Sequence, residues 1–99
     1  MSKRIFSYEE ASALLPRVQR TTEAAVGRIN ELPEDDAEEQ QRVVVEWAES
    51  ILGLGVEVKG LWLVDFDNGG GYYCWQWPEP ALEYFHGYEE GFGGRVKLN

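Results

Sequence analysis

Two glycines, Gly53 and Gly55, divide this chain at the point where its apolar pattern changes period. Before them, apolar residues return every three or four positions, the spacing of one helix face. After them, β-branched and aromatic residues alternate with other types, the spacing of a strand. A 99-residue chain that switches period once can bury one core, shared by a helical part and a sheet part. The expectation is a single α+β domain over residues 1–99. An antiparallel helical hairpin over 7–53 packs on a three-stranded antiparallel β-meander that lies, with a glycine-rich tail, within 55–99.

In the front half, Ser7-Tyr8-Glu9-Glu10 has the form of a capping box and predicts a helix start. Ala11, Leu15, Val18, Thr22, Ala25, Ile29 and Leu32 then draw one stripe, widened by Leu14 and Val26. Pro16 falls inside it and predicts a bend near Ser12 rather than a stop. Asn30-Glu31-Leu32-Pro33 breaks the pattern, and Asp35 or Asp36 supplies the cap of a second helix running to about Leu52. Its apolar positions are Ala37, Val44, Ala48 and Ile51, flanked by Val43, Val45 and Trp47. The connection is short, so the helices should pack antiparallel.

In the back half, Leu61 to Asp67 and Tyr72 to Trp77 flank Asp67-Asn68-Gly69-Gly70-Gly71, a turn whose glycines tolerate positive φ. Pro78-Glu79-Pro80 turns the chain toward a third strand near Leu82 to His86. Val56 to Lys59 is at most a short lead-in strand. Alternation sets Trp62, Val64 and Phe66 against Leu61, Leu63 and Asp65, and Tyr73, Trp75 and Trp77 against Tyr72, Cys74 and Gln76. Both faces are rich in apolar groups. One should lie under the helices and the other partly under the tail or another subunit.

Charge excludes some partners. Nine basic against eighteen acidic residues leave a net charge of −9, which repels nucleic-acid backbones and anionic lipid. Six of the acids fall between Glu31 and Glu39 and read as a solvated loop and helix start. No stretch is apolar enough to span a bilayer, and Met1-Ser2-Lys3-Arg4 is not followed by the apolar run of an export signal. A single cysteine forms no internal disulfide, so the expected setting is a reducing cytoplasm.

Phe6-Ser7-Tyr8-Glu9-Glu10-Ala11 with Leu14-Leu15-Pro16, and then Gly55-Val56-Glu57-Val58-Lys59, Leu63-Val64-Asp65-Phe66, Cys74-Trp75, Glu79, Phe85-His86 and Glu90-Gly91-Phe92 to Gly94-Arg95, make up a recognisable set. With these residues the chain resembles a widespread bacterial family catalogued as domain of unknown function 2203. The resemblance implies a small domain with a helical front half. It brings no agreed activity, and no catalytic residue is carried over. The chain departs from the family pattern at Gly87, where an acid is usual, and at Val96-Lys97, where Gln-Pro is usual.

The scarce chemical side chains gather between Asp65 and Arg95. His86 is the candidate for proton transfer or metal ligation, because an imidazole offers a lone pair when neutral, although a lone histidine at a strand end is more often structural. Cys74, between Tyr73 and Trp75, acts as nucleophile or ligand only as a thiolate, and otherwise packs as a small apolar residue. Asp65, Cys74, His86 and Glu90 together are the ligand types of a mixed-donor zinc site, but their spacing matches no metal motif. Arg95 offers a fork to a carboxylate or phosphate, with Glu90 as a structural partner. Elbow serines, phosphate loops and paired-cysteine motifs are absent from the sequence, so no catalytic residue, metal or cofactor is assigned.

Two functions follow as expectations. The first is a protein-interaction module that docks a partner or a second copy, as a homo-oligomer, through Leu15, Val18, Val44, Trp47, Trp62 and Trp77. Thirteen aromatic residues exceed what so small a core hides. The alternative is a small-molecule or metal-binding protein with Asp65, Cys74, Trp75, His86, Glu90 and Arg95 around one pocket.

Overall fold

A computed structural model describes residues 4–98; the basic start over residues 1–3 and residue 99 lie outside the described residues. Helix α1 spans Tyr8–Glu31 and helix α2 spans Ala37–Gly53. The capping box forms: the Glu10 amide donates to Ser7 Oγ at 3.0 Å, and the Ser7 amide donates to Glu10 Oε1 at 2.9 Å. α1 continues through Pro16 and buries Ala11, Leu15, Val18, Thr22 and Ala25. Asp36 caps α2 by accepting from the Glu39 amide. The buried face of α2 is Val43, Trp47 and Ile51: Ile51 lies on the stripe read in the sequence, and Val43 and Trp47, read as flanking positions, take the places expected for Val44 and Ala48. Val44 and Ala48 are half-buried, and Ala37 is exposed. Trp47 decides this rotation, because its Nε1 donates to the buried Thr22 Oγ1 at 2.8 Å and must face α1. The Thr22–Trp47 and Arg28–Glu46 contacts run in opposite senses along the two helices, which are therefore antiparallel.

The sheet has five strands rather than three: β1 Glu57–Gly60, β2 Leu63–Asp67, β3 Tyr72–Gln76, β4 Tyr84–His86 and β5 Val96–Lys97. They lie in sequence order, each antiparallel to its neighbour. The lead-in segment becomes β1, and the tail turns through a 3₁₀ segment, Phe92–Gly94, to lay β5 on β4. Such a two-residue strand carries too little periodicity to be read from sequence. Leu61 and Trp62, expected in a strand, form a two-residue hairpin loop between Gly60 and Leu63, with Trp62 at φ 59°. That conformation is uncommon for a bulky residue. It is held by the Trp62 ring edge-on to Trp47, with centroids 4.9 Å apart, and by the Trp62 carbonyl accepting from the Trp77 amide. The Asn68–Gly71 turn closes as expected, with Gly69 at φ 91°.

The core lies between the helices and one sheet face. Val64, Phe66 and Trp75 from the sheet meet Leu15, Val18, Val43, Trp47 and Ile51, with Phe6, Val56 and Leu82 filling the margins. Leu15, Val18 and Trp47 are thus core residues, and Val44, Trp62 and Trp77 are half-buried at its edge. Leu15, Val18 and Trp47 therefore bury their apolar surface inside the chain, and the Trp62 and Trp77 rings pack against the same core. The opposite sheet face carries Asp65, Cys74, Tyr72 and His86, and the tail after His86 folds toward it.

Candidate metal site on the outer sheet face

Register assembles this face. Glu57, Asp65, Cys74 and Tyr84 stand side by side across four strands, and Asp67, Tyr72 and His86 form the next row. Directly opposed residues in antiparallel strands have Cβ atoms about 5 Å apart, so side chains distant in sequence touch. Asp65, Cys74 and His86 each present a ligand atom, and these atoms lie within 4.8 Å of one another. All three residues are buried, none more than 4% exposed.

The His86 ring is oriented from both ends. Nδ1 lies 2.7 Å from the Gly87 carbonyl, which only accepts, so Nδ1 carries the hydrogen. Nε2 then faces Asp65 Oδ2 at 2.9 Å. Burial raises the Asp65 carboxyl above the ordinary carboxylate range, against the opposing influence of the Cys74 thiol, the His86 ring and the Lys59 charge. Asp65 Oδ1 is buried without a partner of hydrogen-bond geometry among the described residues; the Cys74 thiol beside it favours the anion without forming a bond of that geometry. Burial also pushes the Cys74 thiol up to about 12, helped by the neighbouring Asp65 charge and opposed by Arg95. At neutral pH Cys74 is a thiol, which excludes it as a nucleophile unless a metal displaces its proton.

A cavity of about 260 Å³ opens beside the three residues. From the sheet, Lys59, Leu63 and Tyr72 line it; from the tail, Tyr88, Gly91 and Phe92 do. Lys59 Nζ pairs with Glu57 Oε1 at 3.0 Å, and the Tyr72 hydroxyl donates to the same oxygen at 3.1 Å. Partial burial works against the Lys59 charge, but the Glu57 carboxylate and Tyr72 outweigh it and hold the ammonium above its ordinary value. Two other hollows exist, near 330 Å³ between α1 and the Trp77–Pro80 turn and near 340 Å³ along the two helices. Neither gathers three metal-ligand side chains.

Of the other expected site residues, Trp75 and Glu90 fall elsewhere and Arg95 lies at the margin of the site. Trp75 alternates onto the core face, where its Nε1 donates to the Glu79 carbonyl at 2.8 Å, so it does not line the site. Glu90 is exposed and accepts from the Gly87 amide at 3.0 Å, fixing the turn after β4. Arg95 pairs with Glu79 at 2.9 Å, not with Glu90, and lies over the Tyr84 and Phe92 rings. Its Nη1 is 4.0 Å from Cys74 Sγ, so it borders the site from behind Cys74. Glu57, Lys59 and Tyr72 were not singled out in the sequence. Strand parity puts Tyr72 on the face of Cys74, two residues away, but only the β1–β2 register places Glu57 and Lys59 beside Asp65.

The profile of the family described as Uncharacterized conserved protein (DUF2203) matches residues 30–98. The chain belongs to the DUF2203 family. The match covers the end of α1, all of α2 and the whole sheet, so Glu57, Lys59, Asp65, Tyr72, Cys74 and His86 lie inside it; the Phe6 to Pro16 likeness lies outside it. No curated protein and no solved structure matches the chain. No helix among the described residues is long and apolar enough to cross a membrane.

Proposed function

We propose that this DUF2203 chain binds one divalent transition-metal ion through Asp65, Cys74 and His86. The observation that carries the reading is the convergence of one oxygen, one nitrogen and one sulfur donor within 4.8 Å, all buried. A histidine ligand ordinarily donates its second ring N–H to a carbonyl or carboxylate, which fixes the ring and its tautomer. The Gly87 carbonyl already serves His86 in this way. Ligand bonds of about 2.0–2.3 Å at tetrahedral angles separate donor atoms by about 3.3–3.8 Å, so small side-chain rotations bring these three into range. Mixed nitrogen, oxygen and sulfur donors suit zinc, and the ion would compensate the buried Asp65 carboxylate and draw the proton from Cys74.

The docking reading has less support. The large exposed apolar residues fall on the N-terminal segment (Ile5), the start of α1 (Tyr8), α2 (Val45, Leu52), the β1–β2 loop (Leu61) and the tail (Tyr88, Phe92, Val96), not on the residues expected to dock. Calorimetric titration of metal-stripped protein with zinc tests the metal reading. One site per chain is expected, lost in His86→Ala and strongly weakened in Cys74→Ser. Failure to bind zinc or cobalt at micromolar levels, or binding by either variant as tight as that of the unaltered chain, would overturn it.

A further inference from the structure

The three donors and the cavity beside them share one side of the sheet, so what the cavity takes is constrained by what the metal leaves open. We infer that the metal keeps one coordination position toward the cavity and that a small monocarboxylate binds there, one carboxylate oxygen on the ion and the other toward Lys59. This rests on the metal reading proposed above and goes further by naming the ligand class.

Three observations carry it. Only three protein donors converge among the described residues, one fewer than zinc takes in a closed structural site. The cavity beside them is about 260 Å³, just below the ordinary range for small-molecule sites, which suits a small occupant. Its wall joins one ammonium to apolar surface: Lys59 on one side, with Leu63 and Phe92 available to a short hydrocarbon body.

Charge selects a monoanion. Asp65 and the Cys74 thiolate neutralise a divalent ion, and Glu57 neutralises Lys59 through their 3.0 Å contact. A single added negative charge is tolerated in such surroundings, whereas a phosphate dianion adds two to a site that is otherwise neutral. Lys59 keeps donor capacity for a ligand, because an ammonium has three hydrogens and Glu57 Oε1 and the Tyr72 hydroxyl, at 3.5 Å, engage two.

Cobalt(II) serves as the probe metal, since its visible bands report both thiolate ligation and a change of ligand at an open position. Metal-stripped protein loaded with cobalt is titrated with sodium propionate, and separately with propionamide and inorganic phosphate. Propionate should shift the bands saturably at millimolar levels, and the other two should bind at least about tenfold more weakly. Lys59→Met, loaded with cobalt to saturation, should weaken propionate by about fivefold, the worth of one half-exposed charge contact. Lys59→Arg should recover much of the propionate response, which separates loss of charge from loss of fold. A cobalt spectrum indifferent to propionate, or phosphate binding as well as propionate, overturns the carboxylate site and leaves metal binding standing. Absence of any cobalt spectrum overturns the metal reading itself and this inference with it.

Discussion

Asp65 is the residue at which folding and the proposed function oppose each other. Its carboxyl is 1% exposed and burial favours its neutral form, so the charge a metal would need is one that the metal-free chain holds at a cost. Asparagine keeps the shape and can donate to His86 Nε2 while Nδ1 still serves the Gly87 carbonyl. Asp65→Asn should therefore leave the metal-free protein at least as stable, within about 1 kcal/mol, by urea unfolding, while zinc affinity falls at least about tenfold by calorimetry. A variant that loses stability and zinc affinity together would point to a purely structural Asp65–His86 pair. Cys74 gives a second reading at this scale. A buried thiol pushed up to about 12 should react with Ellman's reagent in the native state far more slowly than a free cysteine, and at the ordinary rate once denaturant is added. Fast labelling of native protein would contradict its burial.

At the scale of elements, one polar contact fixes how the helical hairpin sits. Thr22 Oγ1 donates to the Val18 carbonyl and accepts from Trp47 Nε1, each at 2.8 Å, inside an otherwise apolar interface. Thr22→Val keeps the volume but strands the indole N–H, and should cost about 1–3 kcal/mol in urea unfolding. Pairing it with Trp47→Phe should cost less than the sum of the two single changes, because the orphaned donor is removed with its partner. This contact also explains why the α2 stripe read in the sequence was rotated. Val43 and Val44 are identical in hydropathy, and the position of Thr22 on the facing helix, through Trp47, chooses between them. The β2–β3 hairpin was legible because glycine at Gly69 answers a local demand, φ 91° in a tight turn. Trp62 was misread as strand because its positive φ is set by distant partners, Trp47 and Trp77, that local sequence does not reveal.

Over the whole molecule, a ligand held by three strands would couple those strands to one another. Asp65, Cys74 and His86 come from β2, β3 and β4, so a metal bound by all three stabilises the folded chain and has little affinity for an unfolded one. Zinc at about one hundred times its dissociation constant should add about 2.7 kcal/mol, read as a raised thermal midpoint. His86→Ala should abolish the increment, and an equal rise in that variant would mean that zinc binds elsewhere. The sequence by itself determined the two halves, the capped α1, the glycine-turned hairpin and the charge balance, because each follows from interactions within a few residues or from composition. It also supplied Asp65, Cys74 and His86 as scarce side chains, but their separations of nine and twelve residues match no motif. Only the tertiary structure decided that they meet, that Trp75 and Glu90 stand apart from them, and that Arg95 turns to Glu79. The reason is register: a one-residue slip in a β pairing reverses every side chain, and that register is set by the packing of a whole sheet face against the helices.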